Sequence, residues 1–185
     1  MLSGAELKAE IDAGHIRIEG LEIDCLRPSS YLLRLAPTLL VSRPGGGVVD
    51  TRQTDMAAHF DTRTVGPEGF DLQPGHLYLG NSVEKVGLAP DMAGTLFLLS
   101  SLARAGIAAN FSASLISATF GISVPGTLTF EITNVAPWPI RIYAGVKFCH
   151  LCIFRHGLPA DLEYRGIYGA ALGPMPANFS RRPSR

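Results

Sequence analysis

Apolar residues of this chain lie in short runs that glycine and proline interrupt, a pattern typical of strands joined by turns. The clearest alternation spans residues 127–134, where Leu128, Phe130 and Ile132 share one face of the predicted strand. Threonines and Glu131 share the other face, so the strand presents a single carboxylate. If that polar face lines a cleft, Glu131 is a candidate general base, whereas on a solvated face it has no special role.

A second apolar run, residues 95–99, shows no alternation and predicts a strand buried on both faces. It leads directly into Ser100, Ser101 and Arg104. Hydroxyl and backbone N–H donors beside a guanidinium suit an anion such as phosphate or carboxylate. The alternative is a turn in which the serines satisfy their own backbone. These residues alone leave both interpretations open.

Three further segments have clear patterns. Ser3 with Glu6 forms a capping box, which predicts a short amphipathic helix that stops at Gly14. A Pro-Gly pair opens residues 74–80 and predicts a turn followed by a strand. Residues 41–70 contain a glycine-rich stretch and then polar sequence, which predicts an irregular excursion over the surface. The sequence leaves the function of this excursion open.

Composition limits the class of protein. With 185 residues, 46% of them hydrophobic, the chain is long enough for one domain, residues 1–185, with a sizeable core. The 16 Lys and Arg residues balance 16 Asp and Glu residues, so no charge excess favours binding to a nucleic acid polymer. Only 17% of residues are charged, which indicates either an apolar surface or extensive burial between subunits.

The sequence has no recognisable targeting signal. Its N-terminus has neither a basic lead nor an apolar run, and no stretch approaches the length of a membrane span, so we predict no membrane partner. Three cysteines, an odd number, fit a reducing compartment better than a disulfide scaffold. The predicted location is therefore cytoplasmic.

Cys149 and Cys152 invite a metal interpretation, but they lie in one apolar strand without a second cysteine pair, so core cysteines are favoured. The zinc deaminase signature is also missing, and we predict no metal ligands.

Trp138, between two prolines, is predicted to be a packing or subunit-contact aromatic, and residues 181–185 a solvated basic tail. Four scattered histidines are predicted to be surface residues without a role: His15, His59, His76 and His156.

Residues 100–106 read Ser-Ser-Leu-Ala-Arg-Ala-Gly, and residues 130–134 read Phe-Glu-Ile-Thr-Asn. In this order the two segments resemble the dCTP deaminase family of the trimeric dUTPase-like superfamily, and the resemblance spans nearly the whole chain. It implies an all-β subunit, a distorted dUTPase-like β-barrel with a short N-terminal helix, assembled as a homotrimer. Active sites of that superfamily lie between subunits, which would explain the low charge of this chain.

The resemblance also implies a reaction, the metal-free hydrolytic deamination of a cytosine nucleotide, dCTP to dUTP and ammonia. Glu131 would be the general base that deprotonates water and returns the proton to the leaving amine, and Ser100 would help to position the water. Ser101 and Arg104 would bind the substrate, and Tyr164 would pack on the nucleotide from a C-terminal lid. No cofactor is implied at the reacting centre, and Mg²⁺ is implied only on the triphosphate.

Several positions depart from the family's pattern in one direction. The family's aspartate is Leu32, its lid lysine is Glu163 and its lid glutamine is Ile167. Its Glu-Gly-Arg segment is Phe-Leu-Leu here, ending in Leu99, and a further glutamine is His150. Most of these changes remove polar or cationic groups that a triphosphate needs, so dCTP is predicted to bind weakly. The alternative hypothesis is a repurposed homologue on the same trimeric scaffold, either a biosynthetic enzyme or a ligand-binding protein for a less charged small molecule.

Overall fold

The computed structural model describes residues 1–45, 47–110 and 113–181, and most of its regular structure is β. Its two α-helices are α1 (Gly4–Asp12) and α2 (Ser100–Ala105). Its strands are β1 (Ile16–Glu19), β2 (Leu26–Arg27), β3 (Ser30–Arg34), β4 (Thr38–Ser42), β5 (Phe60–Thr64), β6 (Phe70–Leu72), β7 (Leu77–Leu88), β8 (Met92–Leu98), β9 (Ile107–Ala109), β10 (Leu115–Ile116), β11 (Gly126–Asn134), β12 (Ile140–Ile142) and β13 (Lys147–Arg155).

The strands form two large sheets and one small one. The first sheet has the order β5-β4-β7-β11-β9, with β1 also paired to β7, and the second has the order β10-β8-β13-β3-β2. Strands β12 and β6 form a separate pair. All these pairings are antiparallel. The prediction of a mainly β chain is confirmed, whereas a closed barrel is not, because both large sheets are open within the described residues.

Helix α1 begins and ends where the sequence predicts. The Ser3 hydroxyl accepts the Glu6 N–H at 3.3 Å, and the Glu6 carboxylate accepts the Ser3 N–H at 2.7 Å, which completes the predicted capping box. Gly14 follows the helix with φ +78°, a conformation that glycine adopts without strain. The local pattern alone therefore determined this element.

The hydrophobic core lies between the two large sheets. Strand β11 alternates from Leu128 onward, and Leu128, Phe130 and Ile132 on its apolar face are all buried. The predicted alternation fails at Thr127, which is also buried and lies where the pairing with β7 shifts register. The Phe130 ring stacks on Phe148 of β13 with 5.1 Å between ring centroids, which links one sheet to the other. Because one face of β11 packs into this core, its threonines and Glu131 must lie on the opposite side.

Two predictions for residues 95–105 are wrong. Strand β8 is not buried on both faces within this chain, since Leu96 is 6% exposed but Phe97 is 55% exposed. The serines that follow do not form a turn but begin α2, whose end is set by Gly106. Gly106 has φ +104°, and a Cβ there would lie 2.5 Å from the Cβ of Ala136, so only glycine fits.

The predicted surface excursion, residues 41–70, is only partly irregular. Phe60–Thr64 pairs with β4 along its whole length, so the segment is a long hairpin whose tip comprises residues 43–59. The alternation in 60–64 was too short and too polar to indicate a strand by itself. The turn and strand predicted for residues 74–80 are confirmed by β7 and by Gly75 with φ +73°.

The predicted core cysteines are confirmed, because Cys149 and Cys152 are buried and have no disulfide bond. Of the four histidines, His59 contradicts its prediction, since it is half-buried and both its ring nitrogens are buried without a partner among the described residues.

The Trp138 side chain is exposed, so of its two predicted roles packing within the chain is wrong. Most of the predicted basic tail, residues 182–185, lies outside the described residues. No described helix is long and apolar enough to cross a bilayer.

Candidate active site

A cavity of about 350 Å³ lies over the polar face of β11. Thr127, Thr129 and Glu131 line it, together with apolar side chains such as Leu79 and Leu96 from β7 and β8. The polar face that the alternation predicted therefore lines a cleft and is not simply solvated. The described lining residues include no lysine or arginine.

Glu131 is the one carboxylate that lines this cavity in the described structure. Its Oε2 atom is buried and has no hydrogen-bond partner. Burial raises the pKa of Glu131 above its ordinary value of 4.5, because desolvation disfavours the charged form. A carboxyl group whose pKa moves toward neutrality in a cleft is suited to take up and release a proton.

The C-terminal residues 164–179, here called the covering segment, close the cavity from the outside. Tyr164 donates its backbone N–H to Thr119 Oγ1 at 2.5 Å, and its ring packs on Phe120 with 5.6 Å between centroids. Met175 donates its N–H to Thr129 Oγ1 at 3.2 Å. Tyr164 and Glu131 thus line the same cavity, and the role of Tyr164 stays a prediction.

The tip of the 41–70 hairpin holds the far end of the covering segment. The Met56 N–H donates to the Ala177 carbonyl at 2.9 Å, and the Phe179 N–H donates to the Thr54 carbonyl at 2.9 Å. Between these two bonds, Asn178 Nδ2 donates to Asp55 Oδ2 at 2.7 Å. The excursion whose function the sequence left open therefore anchors the segment that covers the cavity.

Replacing Asp55 with alanine should loosen the covering segment. The lost bond from Asn178 is worth about 0.5–1.5 kcal/mol, so local opening should become about 2- to 10-fold more frequent. The variant also loses the bond from the Ala57 N–H to Asp55 Oδ1, which lies within the tip. Limited digestion with a protease of broad specificity should show this as faster first cleavage within residues 164–179. Asp50→Ala is the matched control, because Asp50 makes its side-chain bonds only to Arg52 and Gln53 of the same tip. Equal cleavage rates in the two variants would contradict the anchoring role.

The structure does not bring the helix α2 residues to this cavity. Ser100, Ser101 and Arg104 are exposed and none of them lines it. Within one chain, therefore, Glu131 and Tyr164 come together, whereas the predicted water-positioning and substrate-binding residues lie elsewhere. That a neighbouring subunit supplies them stays a prediction.

Three departures from the family's pattern lie in one row across the second sheet. Leu32 of β3 stands opposite His150 of β13, and His150 stands opposite Phe97 of β8. His150 Nδ1 is 2.8 Å from Ser30 Oγ, and Leu32 belongs to the core. Leu32 therefore packs in the core and does not line the cavity of its own chain.

The remaining departures lie at the edges of the site. Leu99 precedes α2 and packs partly against the core, so it does not line the cavity either. Glu163 and Ile167 are exposed beside Tyr164. Glu163 directly precedes the covering segment and Ile167 lies within it. Only at these two positions would a lost cation or amide act on a ligand under that segment.

Sequence reasoning missed Arg165. A smaller cavity of about 190 Å³ is formed within the covering segment and shares Tyr164, Tyr168 and Ala177 with the larger one. Arg165 is the only basic residue among the described residues that line either cavity. The one feature of the sequence that could have indicated Arg165 is its position directly after Tyr164 in the predicted lid.

Sequence reasoning also missed Asn110. Asn110 follows β9 and donates its backbone N–H to the Glu131 carbonyl at 2.8 Å. It has φ +64°, one of two positive φ values at described residues other than glycine, the other being Thr119. An isolated asparagine after a short apolar run offered no signal in the sequence.

One group of possible metal ligands exists among the described residues, and it lies away from both cavities. Ligand atoms of Glu22, Asp24 and Cys25 lie within 4.8 Å of one another. Cations already neutralise the acids, since Glu22 pairs with Arg34 and Asp24 pairs with Lys147. Burial also raises the pKa of the Cys25 thiol, which keeps the weaker, protonated ligand form. Its ion pairs and the protonated thiol favour a structural role for this group, and the absence of metal ligands stays a prediction.

The chain is similar to known proteins both in sequence and in fold. The family described as dCTP deaminase-like matches residues 1–156. A protein named dCTP deaminase, dUMP-forming, from Parafrankia sp. (strain EAN1pec) is 34% identical over 98% of this chain and 91% of its own length. A protein of the same name from Nocardioides sp. is 32% identical over 99% of both chains.

A solved structure shows the same fold. The 2'-deoxycytidine 5'-triphosphate deaminase from Agrobacterium tumefaciens superposes with a TM-score of 0.64 at 23% identity. The match covers 82% of this chain and 46% of that longer chain. Together with the extent of the family match, these relatives confirm the resemblance inferred from residues 100–106 and 130–134. The chain belongs to the dCTP deaminase-like family.

Proposed function

We propose that this protein catalyses the hydrolytic deamination of a cytosine nucleotide, with Glu131 as the general base. The observation that supports this most directly is the buried, unpartnered Oε2 of Glu131 in a cleft of about 350 Å³. Relatives of nearly the same length are named dCTP deaminase. A largely apolar cavity with one carboxylate suits a nucleobase that must be held and attacked at one carbon.

In the proposed reaction, Glu131 removes a proton from water while the water oxygen attacks C4 of the cytosine ring. The proton then passes from Glu131 to the exocyclic nitrogen, the C4–N bond breaks and ammonia leaves. As the water oxygen adds, the electron pair of the C4–N3 double bond moves to N3, and it returns when ammonia leaves with the pair of the C4–N bond. The remaining hydroxyl then gives its proton to N3, which leaves the C4 carbonyl of uracil. No oxidation occurs, and one carboxyl group serves both proton transfers, a contribution of about 10²–10⁴-fold.

The rest of the site is proposed to lie between subunits. Ser100 would help to position the water, and Ser101 with Arg104 would bind the phosphates, all from a neighbouring copy of the chain. Tyr164 would pack on the nucleotide from the covering segment. Mg²⁺ would enter only on the triphosphate. This arrangement accounts for the distance between α2 and the cavity in a single chain.

The product and the substrate are tested together. Purified protein is incubated with dCTP, ammonia is measured enzymatically, and nucleotides are separated by ion-exchange chromatography. Ammonia in equal amount with dUTP supports the product implied by the sequence. Ammonia with dUMP and pyrophosphate would support the product in the names of the relatives. The absence of ammonia would contradict deamination of dCTP itself.

A second candidate function is favoured by the lack of basic residues around the larger cavity. Arg165 is the only cation among the described residues of both cavities, and a triphosphate needs more than one. A homologue that acts on or binds a less charged small molecule would fit such a site. Thermal-shift measurements with dCTP, dCMP and deoxycytidine separate the candidates, since the ligand that binds the native state best raises Tm most.

We predict that the protein is a homotrimer at micromolar concentration. Phe97, Leu115 and Phe154 are exposed and lie on adjacent strands of the second sheet, β8, β10 and β13. Exposed apolar side chains that cluster in this way indicate a surface that another chain covers. Light scattering behind a sizing column should return three times the chain mass of 19.8 kDa. A clean monomer mass would contradict both the trimer and the shared site.

A further inference from the structure

Asn110 is a buried polar residue whose side chain has no partner among the described residues. It is 4% exposed, and within that part of the chain neither its side-chain oxygen nor its side-chain nitrogen makes a hydrogen bond. Burial of an amide without hydrogen bonds is costly, and buried polar groups in native proteins are nearly always paired with protein or water. The Asn110 carboxamide is therefore expected to bind something small.

The backbone places Asn110 directly opposite Glu131. Ala109 of β9 pairs with Ile132 of β11, and the bond from the Asn110 N–H to the Glu131 carbonyl continues that register by one residue. This bond joins the two backbones, and Asn110 itself leaves the regular strand geometry with φ +64°. Glu131 Oε2 is itself buried without a partner. Three unpaired polar atoms thus belong to two residues joined by one backbone bond.

One water molecule satisfies this chemistry. An amide offers a donor and an acceptor, a carboxylate offers acceptors, and a buried water typically makes about three hydrogen bonds to such groups. Asn110 does not line the cavity that Glu131 lines, so the nucleotide itself does not reach the amide.

We propose that Asn110 is a positioning residue, whose carboxamide orients the Glu131 carboxylate through one buried water. The proposal rests on the proposed function of Glu131 as general base. The left-handed backbone of Asn110 fits this role, because strained residues persist where a function requires their geometry.

Removal of the amide should change how Glu131 titrates. Without a polar partner the charged form loses stabilisation, so the pKa of Glu131 should rise by about one pH unit. The other titratable groups near this carboxylate in the described structure are Cys149, Tyr164 and Tyr168. Ordinary thiols and phenols are neutral where carboxyl groups titrate, so they do not obscure the change.

Asn110→Gly is the principal variant, because glycine adopts φ +64° without strain and the chain should fold at least as well as the wild type. Its kcat should fall about 10-fold with little change in KM, and the acid limb of its pH profile should move upward with the pKa. Asn110→Asp is the second variant. It also tolerates this backbone, and its added negative charge should raise the pKa of Glu131 further.

The decisive measurement is the ¹³C carboxyl titration of glutamate-labelled protein, with the Glu131 signal identified by its loss in Glu131→Gln. An upward shift in Asn110→Gly, with a larger one in Asn110→Asp, supports the positioning role. An unchanged titration in both folded variants overturns it. This readout needs no turnover: a shifted titration in a protein that deaminates nothing would overturn the proposed function and leave the link between Asn110 and Glu131 intact.

Discussion

Replacing Glu131 with glutamine should lower the rate of ammonia release from the cytosine substrate by at least about 100-fold, the low end for loss of a general base. The amide keeps the size and shape of the side chain but neither accepts the proton from water nor returns it to the amine. Binding of the nucleotide should change little, so the loss should appear in kcat. Single-turnover measurement of ammonia checks this expectation.

The same substitution should change stability in a pH-dependent way. Burial raises the pKa of Glu131 in the folded state. Below the ordinary pKa of 4.5 the carboxyl group is neutral and its contribution to the stability of the fold is fully present. That contribution is lost as pH rises through the pKa of the folded state. Glutamine stays neutral throughout. The free energy of unfolding of Glu131→Gln should therefore increase relative to the wild type as pH rises from about 4 to about 8, in urea titrations.

Glu68→Gln is the matched control for both measurements, because Glu68 is exposed and lines neither cavity. It should retain activity and show no comparable dependence on pH. Full activity in Glu131→Gln would remove Glu131 from the mechanism. A stability difference that does not vary with pH would contradict the burial of its charged form.

Replacing Arg104 with alanine should weaken binding of dCTP by at least about 30-fold. Arg104 is exposed in this chain and makes no ion pair with a described residue, so it is available to a ligand held between subunits. Loss of a charge-assisted contact to a buried phosphate costs about 2–5 kcal/mol, and each 1.4 kcal/mol is a tenfold change in Kd. Titration calorimetry with dCTP measures the effect.

Charge controls make this second prediction specific. Arg63→Ala removes the same charge from an exposed position that lines neither cavity, and it should leave Kd nearly unchanged. Glu163→Lys should strengthen binding of dCTP, and Glu163→Gln should do so less, because the first adds a cation and the second only removes repulsion. Equal affinity of the wild type and Arg104→Ala would show that the phosphates are held elsewhere.

Part of the site could be predicted because its signals are local. The alternation in residues 127–134 assigned Glu131 to the polar face of a strand, and the order of two short segments indicated the family. Both signals depend on neighbouring residues only. The burial of β8 was predicted wrongly because an apolar run does not reveal whether its second face meets its own chain or another one, and Phe97 is exposed here.

The remaining features depend on contacts between distant parts of the chain. The hairpin tip at Asp55 meets Asn178, which lies more than a hundred residues later in the sequence. The smaller cavity forms only where the covering segment folds back beside Tyr164, and this brings Arg165 to its wall. No periodicity or spacing predicts such contacts, because loop closure over these lengths is set by the whole fold.

The sequence by itself determined the capped helix at Ser3, the mainly β class, the core face of β11 and the family. Only the tertiary structure decided that the polar face of β11 lines a cleft, that α2 lies apart from it and that the backbone of Asn110 pairs with that of Glu131. The physical reason is that side-chain periodicity is a property of one strand, whereas burial depends on which other elements pack against it. Glu131 has a raised pKa because its neighbours exclude water, and those neighbours come from strands and segments far apart in the chain.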